Sequence, residues 1–315
     1  MSWNGTLERQ LPFSMVGSVG YVATRTIHQL IDRNINTVGP GIGTSTANLP
    51  LAKLYGRTIA MNMWDGIGTS NYHSLQALLT KRFSQGLMVR TSYTFGKSLS
   101  MADEDGWVGL TWNHPLKFQD NFALGGFDRT HVFQMGFLYA LPFLKDSSKM
   151  TGKLLGGWQL NGIFAKYSGT PYSIGGSNSA LNCSSCGSIL INFSGDPKPV
   201  GKVGSSTTET YYDKSLFSQP TGAAKEGFGT SLRNNFRRPR VWNTDLSLFK
   251  QFRVTERIHP EFRIEAVNVF NHTNWGAPVT GFTANNFLQF TPSNSENGTN
   301  SPGARRVQLG FRVVF

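Results

Sequence analysis

No stretch of this sequence approaches the ~18 consecutive apolar residues that a membrane-crossing helix requires. Mean hydropathy is −0.25, so a helical membrane bundle is excluded. A membrane β-barrel is not, because its apolar positions are diluted by alternating inward-facing ones. Charge is also scarce, at 15 % of residues, where a soluble domain carries about 25 %. Only two cysteines occur, Cys183 and Cys186 in LNCSSCG. Two cysteines alone cannot complete a four-ligand zinc site. A redox CxxC normally opens a helix in a βαβ unit, and no such unit is evident around them. A small disulfide pinning an exposed loop is preferred over free thiols.

The six histidines are scattered, with none beside a plausible nucleophile or at metal-ligand spacing. No enzyme, metal or cofactor is expected. The acidic trio Asp103-Glu104-Asp105 lacks the spaced ligands and turn glycine of a calcium loop. Net charge is +12, but no basic helix or nucleic-acid motif accompanies it, so no nucleic-acid partner is expected. The opening MSWNGTLERQ has no basic segment followed by an apolar run, so no signal peptide is expected.

What the chain does have is alternation. In the closing RRVQLGFRVVF, Val307, Leu309, Phe311, Val313 and Phe315 fall on every second residue. Arg306, Gln308, Gly310 and Arg312 lie between them, giving one apolar face and one polar face to a strand. The pattern recurs upstream in Trp3–Gln10, Phe13–Arg25, Arg129–Leu141 and Leu155–Tyr167. Asn71–Phe83 and Leu87–Leu99 read as a hairpin turning at Ser84-Gln85-Gly86, although Leu75, Leu78 and Leu79 also have helical spacing. Val241–Arg253 and Arg257–Phe270 form another hairpin, with Glu261, Arg263 and Glu265 opposing Phe262, Ile264 and Ala266. A charged face between paired strands is costly in a soluble core and ordinary in a barrel with a wet lumen.

Between these strands lie stretches rich in Gly, Ser, Asn and Pro. Asp32–Gly68 reads as a long irregular loop, with room for a short strand near Arg57–Met63. Long loops at 100–128, 168–240 and 271–304 alternate with short turns at 84–86, 145–149 and 254–256. The basic run RNNFRRPR (Arg233–Arg240) reads as a solvated loop base or a charge ladder at a membrane rim, ahead of an anion site. The expected fold class is all-β: an antiparallel transmembrane β-barrel segment of about nine strands, with short periplasmic turns and long extracellular loops. A soluble sugar-binding β-sandwich is the competing architecture. Loop aromatics Trp107, Trp112 and Tyr211 are stacking candidates for a ligand.

The stretches NYHSLQALLTKRFSQGLMVRTSYTFGKSLS, FDRTHVFQMGFLYALPF, GGWQLNGIFAKYSGTPYSI and RVWNTDLSLFKQFRVTERIHPEFRIEAVNVFNHTNWGAP resemble the C-terminal barrel of TonB-dependent outer-membrane receptors. The resemblance is to the Oar-like group with a carboxypeptidase-regulatory-like domain, abundant in Acidobacteria. It implies residence in the outer membrane of a Gram-negative bacterium and uptake of a large nutrient: an oligosaccharide, peptide or metal chelate. It further implies that barrel-assembly machinery reads Val307, Leu309, Phe311, Val313 and Phe315 as a terminal signal. Outer-membrane lipid and lipopolysaccharide are the implied surroundings. The plug, the TonB-contacting segment and the regulatory domain of that family find no counterpart in residues 1–315. The expectation is a receptor fragment, not competent alone, that meets the TonB complex only through a missing N-terminal part. An outer-membrane structural or adhesion protein without transport is the alternative.

Overall fold

The computed structural model describes residues 1–103, 116, 118–142, 152, 156–177, 181–186, 189–201, 203, 210–221, 228–252, 259–290 and 304–314. Nine long strands follow in chain order: β1 Ser2–Leu11, β2 Met15–Asn34, β3 Asn62–Ser84, β4 Leu87–Ser100, β5 His131–Ala140, β6 Trp158–Tyr167, β7 Val241–Gln251, β8 His259–Val267 and β9 Arg306–Val314. They join one sheet in strict sequence order, β1 to β9, every pairing antiparallel. A two-residue strand, Ala123–Leu124, adds to the loop end of β4. The sandwich architecture is excluded, because neighbours in sequence are neighbours in one sheet. The helical spacing over Ser74–Phe83 is likewise overridden: these residues lie in β3, paired to both β2 and β4.

Cross-strand partners share a face, so register sorts the side chains. Leu11, Met15, Lys81, Val89, Phe137, Gly162, Leu246, Ala266 and Val307 form one continuous row across all nine strands. The next apolar row includes Leu87, Tyr139, Leu160, Leu248, Ile264 and Leu309. Leu309 and Phe311 are 67 % and 70 % exposed, too much apolar surface to leave in water. On the opposite face, Met88, Leu138, Asn161, Ser247, Glu265 and Gln308 are aligned. One row further stand Gln159, Phe249, Arg263 and Gly310. Arg263 pairs with Glu261 and lies over the Phe249 ring at 5.1 Å.

The predicted short turn at 84–86 is a two-residue turn, with Ser84 paired to Leu87. Gln85 and Gly86 have φ of 53° and 80°, the left-handed pair that matches strand twist in a type I′ hairpin. The turns predicted at 145–149 and 254–256 lie outside the described residues.

One expectation needs correction. Asp32–Gly68 is not one long loop: β2 continues to Asn34 and β3 begins at Asn62, with a short helix, Pro50–Tyr55, between them. Register shifts between Ile27 and Gln29, and between Gln29 and Ile31, scramble the alternation there. The extension is held by pairing and by the Arg33–Asp65 ion pair (3.0 Å), neither of which leaves a periodic signature. The segments read as irregular loops are also not empty of core. The largest buried hydrophobic cluster is built from Tyr172, Ile174, Ile191, Tyr211, Tyr212, Phe217, Phe236, Phe287, Leu288 and Phe290, all from the two stretches read as loops. The long strands contribute none of its members.

Candidate functional site: the loop cap over the polar face

Short strand pairs hold the loops together: Pro171–Tyr172 with Phe236–Arg237, Gly175–Gly176 with Ile189–Leu190, and Asn192–Phe193 with Phe217–Ser218. Phe236 is fully buried and contacts the rings of Tyr172, Phe193, Tyr212 and Phe217 at centroid distances of 5.1 to 6.0 Å. Phe287 meets Phe217 edge-on at 5.5 Å. Edge-to-face and tilted pairs at these separations are favourable beyond simple burial. Burial pushes the Tyr172 phenol well above its ordinary value, and Tyr211 and Tyr212 rise for the same reason. The cluster is a neutral, dry unit.

Two arginines of RNNFRRPR fasten this unit to the sheet. Arg233 is 5 % exposed and forms a 2.7 Å ion pair with Asp103. Its guanidinium also donates to the Ser100 and Asn121 carbonyls. Asn234 donates to Asp103 (3.0 Å) and to the Leu124 carbonyl (2.7 Å). Arg237 pairs with Asp128, which is almost fully buried and accepts from the Ser98 backbone N–H at 2.6 Å. Ser98 and Ser100 sit at the loop end of β4, on the polar face. The expectation of a solvated basic run is therefore corrected. These arginines are latches: Arg233 is buried and Arg237 half-buried because the loop 100–128 supplies fixed carboxylates and carbonyls. Asp103, first of the acidic trio, is spent in the latch; Glu104 and Asp105 lie outside the described residues.

The candidate ligand residues separate. Trp107 and Trp112 lie outside the described residues. Tyr211 is 7 % exposed, its ring packed on Tyr212 at 4.8 Å and Phe290 at 5.1 Å. Cys183 and Cys186 are joined in a disulfide. Cys186 packs with Leu181, Ile189 and Phe228 in a second small cluster. The loop between the two cysteines docks on the top of β2: Asn34 Nδ2 donates to Ser185 Oγ (2.9 Å) and Thr37 Oγ1 to the Ser185 carbonyl (2.8 Å). Val307, Leu309, Phe311 and Val313 lie together on the apolar face of β9, and Phe315 lies outside the described residues.

Asp128, Arg233, Asn234 and Arg237 escaped sequence reasoning as a set. The signal for them was present only as a dense basic run and an isolated Asp in FDRT. Among the described residues, no group of His, Cys, Asp and Glu could hold a metal ion. What the arrangement offers is a hydrogen-bonding polar wall closed at one end by a rigid loop cap.

An antiparallel sheet with one exposed apolar face, one polar face and a loop cap at a single end is the wall of an outer-membrane β-barrel. A family model described as "Outer membrane beta barrel domain" matches residues 1–308, and the chain belongs to that family. Among solved structures, the outer membrane transporter YddB from Escherichia coli aligns over 99 % of this chain at 8 % identity and a TM-score of 0.47. The chain spans 31 % of that protein's length. A search of curated proteins finds no match.

Proposed function

We propose that this chain is the barrel wall and extracellular loop region of a TonB-dependent receptor of the Oar-like, acidobacterial type, in a Gram-negative outer membrane. The complete receptor takes up a large nutrient, an oligosaccharide, peptide or metal chelate. The observation that carries the reading is the two-faced sheet together with its parity. Nine strands, each antiparallel to the next, leave β1 and β9 running in the same direction. They cannot pair antiparallel with each other, and a second copy rotated about the barrel axis presents the same mismatch. Open edges are not tolerated in lipid. An odd number of further strands from other sequence, added to the nine among the described residues, would close the sheet, which fits a large plugged barrel of ~22 strands. The plug and the contact with the TonB complex belong to that other sequence. The chain performs no bond chemistry of its own. Its closing strand is the segment offered to the barrel-assembly machinery.

The loop cap favours a second reading. A rigid aromatic-cored surface unit suits an adhesion protein without transport, because such a protein needs a presented surface and no passage. The test is to read the genomic DNA upstream of the Met1 codon and then measure uptake. An open frame encoding further strands and a plug, with uptake lost on deletion of TonB, is expected. A coding frame confined to these strands, with no plug nearby and unchanged uptake, overturns the transporter reading in favour of adhesion.

A further inference from the structure

The faces differ in charge as well as polarity. In the regularly paired part of the sheet the carboxylates of Glu8, Asp245, Glu261 and Glu265 all lie on the polar face. Every charged side chain on the apolar face there is basic: Arg9, Arg25, Lys81, Lys97, Lys166 and Lys250. At the short-turn end these cations are satisfied internally. Lys81 Nζ donates to the Phe13 carbonyl (3.0 Å) and Ser84 Oγ (2.7 Å), and Lys250 Nζ donates to the Gly156 carbonyl. Arg9 lies on the edge strand. At the loop end the situation is reversed: the side chains of Arg25 and Lys97 are exposed and meet no carboxylate among the described residues.

Arg25, His73 and Lys97 stand on three adjacent strands. His73 is paired with Ala23 on one side and Lys97 on the other, and Arg25 is one step further along beside Asn71. Two strand spacings and a two-residue offset along the strand, together ~12 Å, separate the backbones of Arg25 and Lys97, so both long side chains reach one group lying over His73. Tyr21 OH holds His73 Nδ1 at 2.7 Å, and the Trp3 ring packs on the imidazole edge at 6.2 Å. Immediately towards the short turns the same face becomes Tyr21, Leu75 and Phe95, all exposed and aligned. The trio therefore sits where acyl chains end and headgroups begin, on the loop side. The Tyr–His pairing recurs two strands away, Tyr93 OH to His131 Nδ1 at 2.8 Å.

We propose that Arg25, Lys97 and His73 form a docking site for the phosphate groups of an outer-leaflet glycolipid, the lipid A moiety of lipopolysaccharide. Two cations without carboxylate partners complement a phosphate's charge, and guanidinium suits its geometry. The imidazole, held through Nδ1 by Tyr21, adds Nε2, which donates to phosphate when the tyrosine hydroxyl donates to Nδ1. The site rests on the reading that this face meets lipid.

The test uses the closed barrel, this chain together with the further strands that complete it, reconstituted in phosphatidylcholine vesicles with and without diphosphoryl lipid A. Quenching of tryptophan fluorescence by brominated lipid reports insertion, and binding is read separately by lipid A titration. The double variant Arg25→Ala/Lys97→Ala is expected to bind lipid A about thirtyfold more weakly, with insertion unchanged. The polar-face double variant Arg90→Ala/Arg312→Ala is expected to bind as the parent does. Equal binding by both double variants, or equal binding of dephosphorylated lipid A, overturns the site. Competition by millimolar inorganic phosphate overturns its assignment to lipid. Absence of quenching in every chain overturns the membrane reading itself, a result distinct from the others.

Discussion

Arg233 and Asp103 come from different long loops, and their 2.7 Å ion pair closes beneath the cap at the end of β4. The guanidinium is almost fully buried and the carboxylate about two-thirds buried. One pair thus couples the aromatic unit of residues 168–290 to the loop that follows β4. Among the described residues, the regular structure of these loops is confined to two-residue strand pairs and single 3-10 turns.

Replacing Arg233 by alanine leaves Asp103 partly buried without its main partner and removes donors from the Ser100 and Asn121 carbonyls. Breaking a buried pair on one side costs ~3–5 kcal/mol, and the partial exposure of Asp103 places this case near ~3 kcal/mol. Hydrogen exchange should show lost protection around Phe236 and Tyr212, with the amides of β5, β6 and β7 unchanged. Uniform loss across the long strands would mean that the latch stabilises the whole sheet, contrary to its placement.

The assignment of faces predicts a one-residue contrast on β9. Leu309→Lys puts a charge on the apolar face and should destabilise the membrane-inserted state by ~2–4 kcal/mol. Gln308→Lys faces the polar side opposite Glu265 and should cost nothing measurable, since opposite charges across strands attract. Urea unfolding of the closed barrel from vesicles compares the two. Equal costs would reject the face assignment.

The buried phenols predict an alkaline limit for the cap. Tyr172, Tyr211 and Tyr212 have folded-state values raised by burial, whereas an unfolded phenol ionises near ~10. The stabilisation is fully present below that pH and is lost as pH rises towards the folded values, because the unfolded state releases its protons first. The ultraviolet tyrosinate band should show these phenols ionising late, together with loss of near-ultraviolet dichroism. A full tyrosinate signal near pH ~10 with the dichroism intact would contradict their burial.

Alternation in β4, β5, β6 and β9 is enough to identify strands, because a sheet with lipid on one side and water on the other repeats every two residues. Glu261, Arg263 and Glu265 against Phe262 and Ile264 further mark which face is wet. Those features are local, so residues 1–315 state them openly. The sequence also marks the long stretches between strands by their Gly, Ser, Asn and Pro, and correctly denies them a regular period.

The tertiary structure alone decided what those stretches become. Phe236 finds Tyr172, Phe217 and Tyr212 only through chain reversals that bring residues 171–172 beside 236–237 and 192–193 beside 217–218. Arg233 changes from an apparent solvated cation to a latch only because Asp103, Ser100 and Asn121 converge on it from another loop. The tops of β2 and β3 extend beyond the alternating region because each supplies the other's backbone hydrogen bonds, a contribution any side chain can accompany. Periodicity records the solvent on each side of a strand. It holds no record of contacts between segments of no period, and the cap is made of those contacts.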